Sequence, residues 1–264
     1  MPEKKFLLGA AGLLAMVSTA SAADLAARPY TKAPPPMVVA AYDWSGFYIG
    51  MNGGGAWSRK CWDIAPFTTV IIGGPAVTIP GGPEGCHTAS GGTIGGQLGY
   101  RWQASSWVFG LEAQGNWADL TGSSVSTFPF FAGLTSNRSR VDAIGLFTGQ
   151  IGYSWNQFLL YVKGGAAVTR DKYEGFTTAT GVVFDRATET RWGGVIGIGG
   201  EYAFSPNWSF ALEYDHIFLG SRDLTYNTVL APIVFSRTVN VRQDVDMFTA
   251  RINYRWGGPV VAKY

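Results

Sequence analysis

The residues best equipped to do chemistry in this chain are charged side chains set into otherwise apolar runs: Arg101, Glu112, Lys163, Glu201, Glu213, Asp215, Arg251 and Arg255. Successive side chains of an extended strand point to opposite faces. Each of these charges therefore lies across the backbone from its apolar neighbours. Gathered on one side of a sheet, the acids and bases would make ion pairs and amide hydrogen bonds. Such a network either packs the interior of a narrow barrel or lines a narrow polar pore.

The other reactive residue types are scarce. Cys61 and Cys86 are the only cysteines, and in an exported chain two cysteines within one connection predict a disulfide. A metal held by this pair with His87 is a ligand-poor alternative. His216 has the parity of the apolar face, which suggests an interfacial histidine. Its neighbour Asp215 points to the opposite face, so those two do not make a dyad. There is no nucleophile elbow, metal-ligand cluster or P-loop, so no enzyme, metal or cofactor is expected. The Gly-rich stretches GGVIGIGG and GGTIGGQLG lie within alternating runs and open no helix.

The elements that must position these residues are strands. From Trp44 onward, period-two alternation recurs eight times. Phe47, Ile49, Met51 and Trp57 oppose Tyr48 and Asn52, and Phe248, Ile252, Tyr254 and Trp256 oppose Thr249, Arg251 and Asn253. Short turns fall at residues 103–106, 156–157 and 205–207, whereas residues 59–91, 118–140, 173–190 and 220–242 read as long loops. An even number of strands with short turns at one end and long loops at the other predicts an all-β, eight-stranded antiparallel up-and-down transmembrane barrel, its first and last strands paired.

The apolar faces carry no Lys, Arg, Asp or Glu, apart from Asp246, which is placed at the upper rim. A Lys or Arg on the lipid face costs roughly 2–4 kcal/mol at the bilayer midplane, so the charge-free side should meet lipid. Trp102, Trp107, Tyr153, Trp155, Tyr202, Trp208, Tyr254 and Trp256 cluster beside the short turns as a periplasmic aromatic girdle. Trp57, Trp117, Trp192 and Phe218 would form the outer one.

At the amino terminus, Lys4 and Lys5, the apolar run 6–17 and the Ala20-Ser21-Ala22 site read as a signal peptide over residues 1–22. Residues 23–43, with Pro29, Pro34, Pro35 and Pro36, read as a periplasmic linker, leaving 44–264 as the barrel. Only 14% of residues are charged, 14% are aromatic, and the net charge is +2 with no long basic stretch, which excludes nucleic-acid binding. The expected partners are outer-membrane lipid and lipopolysaccharide, together with barrel-assembly machinery that reads Trp256 or Tyr264. A small-molecule ligand is not legible.

Several segments resemble the small porin-like outer-membrane β-barrel proteins of rhizobia and brucellae, which include major surface antigens. These are AADL after the export signal, YTKAPPP, YDWSGFYIGMNGGGAW, GGVIGIGGEYAFSPNWSFALEYDHIFLG and INYRWGGPVVAKY. The resemblance implies a cell outer membrane location and a structural or surface role, with host or ligand contacts through the outer loops. Some similar proteins bind haemin.

Overall fold

The computed structural model describes residues 42–70, 74–129, 132–230 and 233–256. The expected signal peptide with Ala20 and Ala22, the linker up to residue 41 and the tail with Tyr264 lie outside the described residues.

Eight long strands close into a barrel in the order β1-β10-β9-β8-β7-β6-β5-β4, all antiparallel neighbours. They are β1 (Gly46–Ile64), β4 (Gly82–Ala104), β5 (Trp107–Val125), β6 (Thr135–Trp155), β7 (Phe158–Thr177), β8 (Val183–Ala203), β9 (Trp208–Leu230) and β10 (Ile233–Arg255). The first and last pair from Tyr48↔Arg255 to Ile64↔Val239, which closes the ring. A small hairpin, β2 (Phe67–Val70) with β3 (Ala76–Ile79), sits in the first outer connection. At the short-turn end, the first turn residues Ser105 and Asn156 take positive φ of 57° and 55°. Single polar residues tolerate that left-handed backbone best, and Asn foremost.

The parity read from the sequence decides what each face meets. Phe47, Ile49, Met51, Leu98, Trp117, Ile196 and Ile252 are exposed on the outer wall, while Tyr48, Gln97, Glu112 and Arg251 are buried inside.

The long outer connections differ from expectation, because most of the residues assigned to loops continue the strands. Each barrel strand has 19 to 23 residues, about twice the ~9–11 needed to cross the hydrocarbon. The cause is a reversal of phase. Below Trp57 the outward residues of β1 are apolar; above it Arg59 and Asp63 face out, while Trp62 and Ile64 are buried inward. In β7 the same change puts Arg170 and Lys172 outside and Tyr173 inside. Lipid outside gives way to water outside, and a strand in water needs its apolar side turned in.

The upper part is not fully closed. β8 and β9 pair only from Ala203↔Ser209 up to Gly194↔Phe218. Above that point, among the described residues, the two strands form no ladder. Arg191 bridges the base of the slit, its Nη2 donating to the carbonyls of Gly220 at 2.9 Å and Val241 at 3.2 Å.

Cys61 and Cys86 face each other in register on β1 and β4, with Cα atoms 4.1 Å apart, and form a disulfide. The bond thus staples two strands above the lipid band rather than bracing an irregular loop. Closing a chain segment of 25 residues destabilises the unfolded state by about 3–4 kcal/mol through lost chain entropy. Replacing both cysteines by Ser should lower the urea midpoint of unfolding accordingly, with the folded form still migrating faster than the boiled form on gels. An unchanged midpoint would show that the β1–β4 ladder alone sets the stability.

Candidate functional site: a layered lumen

Inside the barrel the side chains stack in layers. At the periplasmic mouth Trp44, just ahead of β1, is buried against Val108, Leu159, Tyr161 and Ala203. Its backbone N–H donates to Gln103 Oε1 at 2.8 Å and its indole N–H to the Asn156 carbonyl at 3.1 Å. Arg255 lies at this rim and not in the central network. Its guanidinium donates to the carbonyls of Ser45 at 2.8 Å and Pro206 at 3.0 Å, over the ring of Tyr42.

The next layer brings together Arg101, Glu112, Lys163, Glu201, Glu213, Asp215 and Arg251. Arg251, fully buried on β10, forms ion pairs with both Glu112 of β5 and Glu213 of β9. Lys163 Nζ lies 2.6 Å from Glu213, 3.1 Å from Asp215 and 3.7 Å from Glu112. Arg101 pairs with Glu201 at 2.8 Å and packs its guanidinium 4.4 Å from the Tyr48 ring centroid. Tyr48 and Tyr161 donate their hydroxyls to Glu112 and Glu213, each at 2.7 Å. Neither tyrosine would fit if its cross-strand partner had a side chain, since a Cβ at Gly99 or Gly199 would strike the ring. Three cations thus hold four carboxylates where water is excluded, and charge-assisted hydrogen bonds are strong in such surroundings.

Above the network the lumen turns apolar, contrary to the polar interior that the inward charges predict. Ala56, Leu120, Val141, Leu146, Ile217 and Met247, with their neighbours, form one contiguous buried cluster. A second polar layer follows, in which Lys60 Nζ meets Asp171 at 2.9 Å and Gln243 donates to the same carboxylate oxygen at 2.9 Å. Trp62, Ile64, Phe67, Ile79, Phe128 and Tyr173 then close the outer end, with β2 and β3 contributing Phe67 and Ile79.

His87 belongs to this upper part, opposite Lys60 and three residues above the level of Trp57. Its Nε2 lies 2.7 Å from Ser139 Oγ and its Nδ1 3.1 Å from Ser124 Oγ. Burial, and next the charge on Lys60, push its pKa down to about 4. Burial likewise lowers that of Lys60, outweighing the attraction of Asp171. His87 faces inward and the adjacent Cys86 outward, so the two do not converge on a metal.

His216 does have an acidic partner, though not Asp215. Asp246, the neighbour of His216 in the β9–β10 ladder, lies with Oδ1 2.6 Å from His216 Nδ1 and accepts the Tyr214 hydroxyl at 2.6 Å. Sequence reading missed this pair because it depends on the register between two strands. Its effect is to satisfy a lone outward carboxylate at the level of Trp57.

On the outside, the girdle residues near the short turns make a belt of ring contacts. Trp107 meets Tyr153 at 5.5 Å, Tyr153 meets Trp155 at 4.8 Å, Trp208 meets Tyr254 at 5.1 Å and Tyr254 meets Trp256 at 5.2 Å. Trp102 stacks near Phe109, and the Tyr202 hydroxyl donates to Gln157.

A closed antiparallel ring with a charge-free outer band, an aromatic belt and an ion-paired polar layer inside defines a transmembrane barrel of the bacterial outer-membrane class. The chain belongs to the outer membrane protein beta-barrel domain family, whose model matches residues 10–255. It is 28% identical over 242 residues to the 31 kDa outer-membrane immunogenic protein of Brucella melitensis, covering 88% of this chain and 95% of that protein. Similar solved structures include the outer membrane protein OprG of Pseudomonas aeruginosa, at 15% identity and a TM-score of 0.49 over 81% of this chain and 98% of that one. The outer membrane protease OmpT of Escherichia coli gives 8% identity and a TM-score of 0.49 over 80% and 97%. The protein resides in the cell outer membrane.

Two outcomes test the layered interior. Arg251→Met should destabilise the folded barrel by about 3–5 kcal/mol, because it strands two buried carboxylates. Urea titration in lipid vesicles measures this, and adding Glu112→Gln and Glu213→Gln should restore much of the loss. The second concerns acid. The folded pKa of His87, about 4, lies below the unfolded value near 6.5, so the unfolded chain takes up the proton first. Stability should therefore fall as pH drops from about 6.5 towards 4. His87→Gln should flatten that part of the pH profile, and an unchanged profile would assign it to other groups.

Proposed function

We propose that this protein is a non-catalytic structural barrel of the outer membrane, supporting the envelope and holding a charged surface well above the outer leaflet. The observation that carries the reading is the apolar layer around Leu120, Leu146 and Met247, set between two polar layers and capped at both ends. A conducting lumen needs a continuous wet path, and a layer of buried apolar side chains across the bore interrupts it. The extended upper strands, with ion pairs such as Arg138 with Glu174 and Lys172 with Asp142 on their outer wall, supply a surface antigen's display area. The immunogenic Brucella relative is consistent with that role. Outer-leaflet glycolipid around the barrel and assembly machinery acting on the carboxyl-terminal strand are the partners this reading requires.

The rival reading is a narrow porin or a haemin-binding or adhesin-type receptor. For haemin, an axial ligand would come from His87, engaged by two serines inside the barrel, or from His216, engaged by Asp246. Both are already occupied, which favours the structural role.

Reconstituted in planar bilayers, the full-length protein should give no recurrent conductance steps, and haemin titration should give no saturable spectral change. Stable unitary channels would overturn the closed-barrel reading, and a saturable haemin complex would replace it with a receptor.

A further inference from the structure

The outer wall is not uniformly bulky. On β5, β6 and β7, at the outer end of the lipid band, Gly115 pairs with Gly145, Gly145 with Val168, and Trp117 with Ala143. These small residues leave a groove of about 410 Å³ on the barrel surface, walled by Trp117 and topped by Arg170. Trp117 is 75% exposed, so one face of its indole is open to whatever fills the groove.

Charge is arranged above this apolar floor. Arg138 and Arg186 pair with Glu174, Arg140 with Asp119 and Asp142, and Lys172 with Asp142. Among the described residues Arg170 has no carboxylate partner, and its ladder neighbours are Ala143 and Thr190. The patch therefore holds five cations against three carboxylates, with the unpaired guanidinium at the mouth of the groove. Outward guanidinium at headgroup height, directly over a strip that accepts hydrocarbon, is complementary to a molecule that is anionic at one end and apolar at the other. A guanidinium fork matches phosphate geometry in particular.

We propose that this groove binds a phosphorylated lipid of the outer leaflet. An acyl chain lies on the Gly115–Gly145 floor against Trp117, and its phosphate pairs with Arg170. The inference rests on the outer-membrane placement and not on the closed lumen, so a conductance experiment bears on one and not the other.

The test uses the full-length barrel folded in detergent micelles, titrated with bisphosphorylated lipid A and read by native mass spectrometry. Two variants attack the two halves of the site. Arg170→Gln removes the cation. Gly115→Leu fills the floor, at an outward position where an added Cβ meets no atom within 4 Å. Each should weaken binding by about tenfold or more, the scale of one lost charge-assisted contact. Arg222→Gln, on β9, should leave it unchanged. Heat-modifiable mobility confirms that each variant is folded. Equal binding by wild type and both variants would overturn the site. So would equal affinity for the dephosphorylated glycolipid, or displacement of the lipid by millimolar inorganic phosphate, which would mean a free-anion site instead.

Discussion

A strand that crosses hydrocarbon must give every backbone N–H and C=O to a neighbour, because water is not there to take them. The remaining architecture follows from that constraint. The chain satisfies it by closing eight strands on themselves, and eight strands leave a bore only wide enough for side chains. In the ring order, β5 and β9 stand four places apart in either direction, on opposite walls. Arg251 nevertheless reaches both Glu112 of β5 and Glu213 of β9. One guanidinium spans the lumen, which makes the narrowness of the barrel a direct property of its ion pairs.

The same backbone serves two solvents. Twenty residues tilted as in other membrane barrels rise ~50 Å, against an apolar band of ~25 Å. Where the outer wall passes from lipid to water, the strands keep their pairing and exchange the chemistry of their faces. Ion pairs along β6 and β7 take the outward positions that Phe147 and Val162 hold lower down. Inside, Trp62, Tyr173 and Val241 then form a core of the kind found in water-soluble β-proteins. The barrel is thus a membrane anchor continued by a soluble sheet.

This division explains what was legible in the sequence. The period-two signal with apolar residues on the lipid side identified the membrane part of every strand, its faces and its girdles, because one rule governs them all. Upper strand segments read as loops in the sequence because their pattern is the inverse: Arg59, Asp63, Arg138 and Arg140 occupy the outward positions that are apolar lower down. The inward charges pointed to the ion network, since the faces of a strand follow from counting. Residues that depend on register did not show. His216 finds Asp246 thirty positions away, and the floor of Gly115, Gly145 and Val168 exists only once three strands are aligned. The apolar layer in the lumen escaped for a different reason, since Leu146 and Ile217 look like any other strand residues until their direction is known.

The slit between β8 and β9 divides the molecule mechanically. Below Gly194 and Phe218 the circumference is a fixed number of hydrogen-bonded strands, and changing it means breaking a whole ladder. Above them the sheet has two ends, with Gly220 at positive φ where β9 departs and Arg191 as the clasp. A rigid hoop in the membrane therefore carries an open collar outside the cell, and only the collar can alter its girth without loosening the seal beneath it.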